Sequence, residues 1–217
     1  MGKSKDIREA VEEELIFDPL VDPSDITVKS MKGDVALNGT VPSYPQYVEA
    51  ATAAQRVAGV TNVHNHLEVD LPPGDYRDDA TLTTAANDTL ALNVTVPDGV
   101  EATGCDGNIT LTGTVDYGSQ RAATERGVAG LTGVRHIKND IKIRDGADPI
   151  AVTILVQDAL DRSALVPDDS DITVNTSGNT VILYGHVATW AERNAVVGAA
   201  WMASGVSEVV DEIHITG

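Results

Sequence analysis

The sequence predicts an α+β protein built from three tandem αββαβ units, each a three-stranded mixed sheet with two helices on one face. Three observations carry this. A strand ending in Gly-x-Val recurs around Gly39, Gly113 and Gly185, at separations of 74 and 72 residues. A Gly-Val pair follows each at one spacing: Gly59-Val60, Gly133-Val134 and Gly205-Val206. Helical apolar patterns stand before and after the glycine strand in every copy. Self-similarity at a fixed period marks a repeat architecture and has to be read before any single motif. The units fall at residues 1–72, 76–145 and 148–217, divided by the turn-forming stretches 71–75 and 144–148.

Each unit opens with apolar residues four apart: Ile7, Val11 and Leu15, then Leu82, Ala86 and Leu90, then Val152, Val156 and Leu160. That spacing lays them on one face of a helix. Pro19, Pro97 and Pro167 are expected to end these helices, because the residue before proline is pushed out of the α region. A short strand follows at 26–28, 100–102 and 172–174. Turn residues at 32–34, 106–108 and 177–179 then lead into the glycine strand, which is a hairpin pattern. A second helix covers roughly 45–58, 119–130 and 189–204. Its stripe Ala54/Val57, Val128/Leu131 and Ala200/Ala203 faces the sheet. A closing strand spans 63–69, 137–143 and 209–215, and a right-handed crossover through the second helix sets it parallel to the glycine strand.

Units of this length are near the lower limit for an independent core, so each leans on its neighbours. Aromatics are only 4% and Phe17 is the single phenylalanine, which leaves Val, Ile, Leu and Ala to fill the cores. Acidic residues outnumber basic ones 33 to 15, a net charge of −18 that repels phosphate backbones, so nucleic acid is excluded as an expected partner. The same charge works against broad docking on anionic lipid. The lone Cys105 excludes an internal disulfide and lies in a turn without a nearby activating His or Lys. The N-terminal residues show no apolar signal core, so the chain as written is expected in the cytoplasm, or in the periplasm or envelope if a leader has been removed.

Enzyme constellations are not apparent. His64 and His66 alternate onto one strand face without a third ligand in view, and read as a solvated face. Asp168, Asp169 and Asp171 have the composition to hold a cation loosely but read as a charged loop. No phosphate loop, serine elbow or carboxylate pair is present, so no catalytic residue, metal site or cofactor is expected.

The strand-Gly-x-Val element, the small-residue helix face and the later Gly-Val before a closing strand resemble the BON domain, named for bacterial osmotically inducible and nodulation proteins. The resemblance covers nearly the whole chain as three copies. Ala102, Thr124 and Glu125 depart from it and mark copy two as the degenerate one. It implies structural roles for Gly39, Gly113, Gly185, Gly59, Gly133 and Gly205. It further implies a non-enzymatic binding or stress-protection protein, acting in osmotic or envelope stress through protein or phospholipid. A cytoplasmic potassium-type, monovalent-cation-responsive protein is the alternative, and a self-assembling scaffold the lower one.

Comparing copies also singles out residues foreign to the shared core. Trp201 corresponds to Gln55 and Ala129, and Met202 to Arg56 and Gly130. Trp190 precedes Trp201 by eleven residues, which returns nearly to the same helix face. Trp190, Trp201 and Met202 are therefore the candidate contact surface, for a neighbouring copy, a partner protein or self-association, or a lipid interface.

Overall fold

The computed structural model of the chain describes residues 2–144, 149–164, 166 and 171–216. In copy one, α1 (Gly2–Phe17) leads to β1 (Ile26–Met31), β2 (Asp34–Val41), α2 (Tyr44–Arg56) and β3 (Asn62–Val69). Copy two has α3 (Asp79–Ala91), β4 (Glu101–Cys105), β5 (Asn108–Thr112), β6 (Thr114–Val115), α4 (Gly118–Ala129), β7 (His136–Asn139) and β8 (Lys142–Ile143). Copy three has α5 (Pro149–Asp161), β9 (Thr173–Ser177), β10 (Thr180–Val187), α6 (Trp190–Met202) and β11 (Glu208–Ile215). In every copy the glycine strand is central, antiparallel to the strand before it and parallel to the closing strand.

Copy two departs from the expected single sheet. Its glycine strand and closing strand are each interrupted, giving a three-stranded piece (β4-β5-β7) and a two-stranded piece (β6-β8). The parallel ladder nonetheless continues across the interruption. Asp140 donates its N–H to the Leu111 carbonyl at 2.8 Å, Lys142 to Gly113 at 3.0 Å and Arg144 to Val115 at 2.8 Å. The initial strands of copies two and three also lie later than expected, at Glu101–Cys105 and Thr173–Ser177.

The first helices differ from expectation at their ends. α1 stops at Phe17, just before Asp18-Pro19, but α3 stops at Ala91 and α5 at Asp161, well ahead of their prolines. In copy two the side chain of Asn93 takes over: its Oδ1 accepts from the Thr95 N–H at 3.1 Å and from the Thr95 hydroxyl at 2.7 Å. Such an Asx turn offers the backbone an alternative to the helix before the proline acts. Pro167 lies outside the described residues.

Each core is formed by the two helices against one sheet face. Val11, Leu15, Val35, Leu37, Ala54 and Val60 fill the first, Leu82, Ala86, Ile109, Leu111, Val128 and Val134 the second. Val152, Val156, Val181, Leu183, Ala200 and Val206 fill the third. The alternation along the central strands is what delivers these residues to one side.

The repeat glycines share a backbone reason. Gly39, Gly113 and Gly185 have φ of 124°, 136° and 135°, a region L side chains rarely adopt. In each copy a Cβ would collide with the carbonyl oxygen fourteen residues earlier, on Asp25, Gly99 and Asp171. Gly59, Gly133 and Gly205 also have positive φ.

A second repeated feature ties the closing strand to the second helix. Asn65, Asn139 and Asp211 occupy one repeat position, and each accepts through Oδ1 from the N–H two residues on, at 3.1–3.3 Å. The other side-chain atom reaches the helix. Asn65 Nδ2 donates to the Tyr47 carbonyl at 2.7 Å, Asn139 Nδ2 to the Arg121 carbonyl at 3.2 Å, and Arg193 Nε donates to Asp211 Oδ2 at 2.9 Å.

Candidate functional site

The places where the copies meet are set by one repeat position, the residue five after the repeat glycine, at the start of the second helix. It is Tyr44 in copy one, Gly118 in copy two and Trp190 in copy three. Tyr44 is 6% exposed and belongs to the core of copy two rather than to its own; Tyr47 and Val69 pack against both cores. Gly118 receives Trp201, and a Cβ there would overlap the indole ring. Trp190 donates its Nε1–H to the carbonyl of Val60 at 3.0 Å, which carries copy three back onto copy one. The contacts therefore run head to tail from copy one to two to three and close on copy one, as a heterologous ring does in an oligomer.

The joints are unequal. At the first, Tyr44 stacks on Tyr47 with ring centroids 5.6 Å apart. Burial, reinforced by the charge of Glu125 and by the neighbouring Tyr47, pushes the Tyr44 phenol up to about 12. At the second, between copies two and three, a groove of about 820 Å³ remains open. Its walls are largely small residues, Gly118 and Ala122 from α4, Ala159 from α5, and Gly198 and Ala199 from α6. Trp201 packs against the cores of both copies beneath it, and Met202, 70% exposed, stands at its edge.

One wall of the groove is polar. Arg121 donates from Nη2 to the Asn139 carbonyl at 3.0 Å, and Asn139 Nδ2 donates to Glu125 Oε2 at 3.0 Å. Arg126, exposed at the same wall, forms no hydrogen bond or ion pair with a described residue. A volume of this size, mostly apolar with a few convergent polar groups, is the ordinary form of a small-ligand or peptide-segment site.

Of the candidate contact residues, the groove gathers Trp201 and Met202, whereas Trp190 faces copy one with the guanidinium of Arg193 stacked 4.8 Å from its ring centroid. His64 and His66 are exposed, with ring centroids 6.3 Å apart. Among the described residues no group of three or more His, Cys, Asp or Glu could hold a metal ion. Asp168 and Asp169 lie outside the described residues. Asp171 instead accepts from the His186 N–H at 2.8 Å and faces His186 Nδ1 at 2.9 Å, which holds its carboxyl below the usual range. Cys105 is exposed. Residues the sequence reading passed over are Tyr44 and Gly118. The copies aligned at that position carry Tyr, Gly and Trp, where a common core residue would be uniform.

Repeated αββαβ units joined head to tail, with an open groove between copies two and three, define a tandem-repeat module protein. The BON domain pattern matches residues 3–70, 78–145 and 152–217, and the chain belongs to the BON domain family. It is 34% identical over 126 residues to osmotically-inducible protein Y of Escherichia coli strain K12, a match covering 56% of this chain and 63% of that protein, so it spans under two thirds of that relative. It also aligns with two solved structures of CdsD, a structural protein of the type III secretion system of Chlamydia trachomatis. One is the C-terminal domain, at 15% identity over 98% of both chains. The other is at 16% identity over 96% of this chain and 91% of that one. The TM-score is 0.26 in both cases, and a likeness at that level supports no argument about function. Among the described residues no helix is long and apolar enough to cross a membrane.

Proposed function

We propose that the chain is a non-enzymatic stress-protection protein that acts by binding, and that its binding surface is the groove between copies two and three. The observation that carries this reading is the asymmetry of the joints: Tyr44 is buried in the core of copy two and Trp190 bonds to the Val60 carbonyl, whereas about 820 Å³ stays open over Trp201. Membership of the BON family and the likeness to an osmotically inducible protein support the stress context. The groups with displaced pKa also fit a binder. Asp18, Asp22 and Asp78 are lowered by hydrogen bonds in turns and caps, Asp171 by its bonds to His186, Arg56 is raised within a clamp of carboxylates, Tyr44 is raised by burial, and none of them lines the groove.

Trp201 makes the reading testable without a label. Emission is followed in the Trp190→Phe background, where Trp201 is the remaining indole, while potassium, sodium and calcium, then neutral and anionic vesicles, are added to it and to the same chain carrying Met202→Glu. A saturable change that Met202→Glu weakens is expected for a groove ligand. A change of equal size in both proteins would move the binding surface elsewhere. No change with any of these agents directs the groove to protein segments.

A further inference from the structure

An exposed apolar knob on copy one has the form and charge to fill the groove. Ile16, Phe17 and Leu20 are 71%, 82% and 65% exposed, at the end of α1 and the start of the following turn. Single exposed apolar residues are ordinary, but three adjoining ones on one projection are not.

The knob is also held rigid. Arg56 of α2 reaches across to the carboxylates flanking it, Nε to Glu14 at 2.8 Å and Nη2 to Asp18, while its Nη1 holds Glu49 of its own helix at 2.9 Å. The Asp18 N–H donates to the Glu14 carbonyl at 3.0 Å, and Asp18 Oδ1 accepts from the Leu20 N–H at 2.9 Å. A projection ordered before contact gives up little further freedom on binding.

We propose that the groove receives this knob from a second copy of the chain, Phe17 entering over Trp201 and Met202 between α4 and α6. This rests on the groove being a binding surface. Charge selects the occupant. Glu13 lies one helical turn before Phe17 on the same face, is exposed, and pairs with no described residue. Arg126 at the groove wall is likewise unpaired, in a chain where acids outnumber bases 33 to 15. An incoming knob therefore brings a carboxylate without a described partner to a guanidinium without one. An aromatic side chain buries roughly 150–250 Å², and specific stable interfaces bury about 1,200–2,000 Å² in total. A knob-in-groove contact is thus weak and concentration-dependent. Knob and groove are different surfaces, so the contact is heterologous.

Sedimentation equilibrium over a hundredfold concentration range, at low salt, tests this with the full chain. Wild type is expected to rise above the monomer mass, with Trp201 emission moving in step. Phe17→Glu and Arg126→Glu each hold the chain at the monomer mass, while Glu13→Arg combined with Arg126→Glu restores association. Because Phe17 is almost fully exposed, Phe17→Glu keeps the wild-type urea midpoint, which separates lost docking from lost folding. A wild type that stays monomeric throughout overturns the proposal. So does Phe17→Glu associating as wild type does, because another segment would then occupy the groove. If the monomeric chain still shows a Trp201 response to vesicles or ions that Met202→Glu weakens, the groove remains a binding surface with a different occupant. If neither response is seen, the second-copy contact falls, and the ion and vesicle readings of the groove fall with it.

Discussion

The joint between copies one and two and the joint between copies two and three use the same helix position in the same fold, and one is sealed while the other is open. At the first, Tyr44 sits inside the neighbouring core. At the second, Gly118 presents no side chain, so Trp201 of copy three comes down onto its backbone and leaves a groove beside it. A repeat protein can thus keep three similar cores and still acquire a distinct binding surface, by varying a residue that its own copy's core does not use. The joint is where neighbouring units exchange stability, so that one position also sets how firmly the copies hold together.

The largest expected effect comes from unsealing the closed joint. Tyr44→Ala empties a nearly full site in the core of copy two and should cost about 3 kcal/mol, within the range for aromatic-to-alanine core changes; urea unfolding measures it. Little loss would mean that the first joint contributes no more than the second. The same residue predicts a loss of stability at alkaline pH. Tyr44 is neutral in both states below pH 10. Between pH 10 and about 12 the unfolded chain ionises first while the folded chain keeps the proton, so stability falls as pH rises through that window. Tyrosinate absorbance should show a late phase from Tyr44, and Tyr44→Phe should remove it.

Filling the open joint is the complementary experiment. Gly118→Ala forces Trp201 from its seat and should cost roughly 1–3 kcal/mol, with a red shift in emission as the indole meets water. An unchanged spectrum would show the second joint to be looser than its geometry. The ring closure onto copy one is smaller still: Trp190→Phe removes the hydrogen bond to the Val60 carbonyl and should cost about 1 kcal/mol. Hydrogen exchange at the end of α2 reads it locally. Met202→Ala, on a side chain already 70% exposed, should change stability by less than about 0.5 kcal/mol, which makes Met202 the natural place to probe binding without disturbing the fold.

Much of this architecture was legible because the chain carries its own alignment. The spacing of Gly39, Gly113 and Gly185 located every central strand, and the four-residue apolar steps located every first helix. The proline stops were misread in copies two and three, because a local side-chain turn such as that of Asn93 competes for the backbone before proline is reached. The Asx staples at Asn65, Asn139 and Asp211 recur at one repeat position and were readable in principle. Their polar type, however, looks like any solvated strand until the helix they reach is in place. Trp201 was recognised as foreign to the common core, but which copy it would touch was left open.

What the sequence by itself determined is the unit: its order of elements, its buried faces and the glycines its backbone requires. Those depend on periodicity and on contacts short in sequence, which each copy states in its own residues. The tertiary structure alone decided the ring, the sealed and open joints, and the meeting of Trp190 with Val60 across 130 residues of chain. The physical reason is that a joint depends on shape complementarity between surfaces far apart in sequence. Tyr44, Gly118 and Trp190 obey no shared local rule, and each acquires its role only from the neighbour it meets.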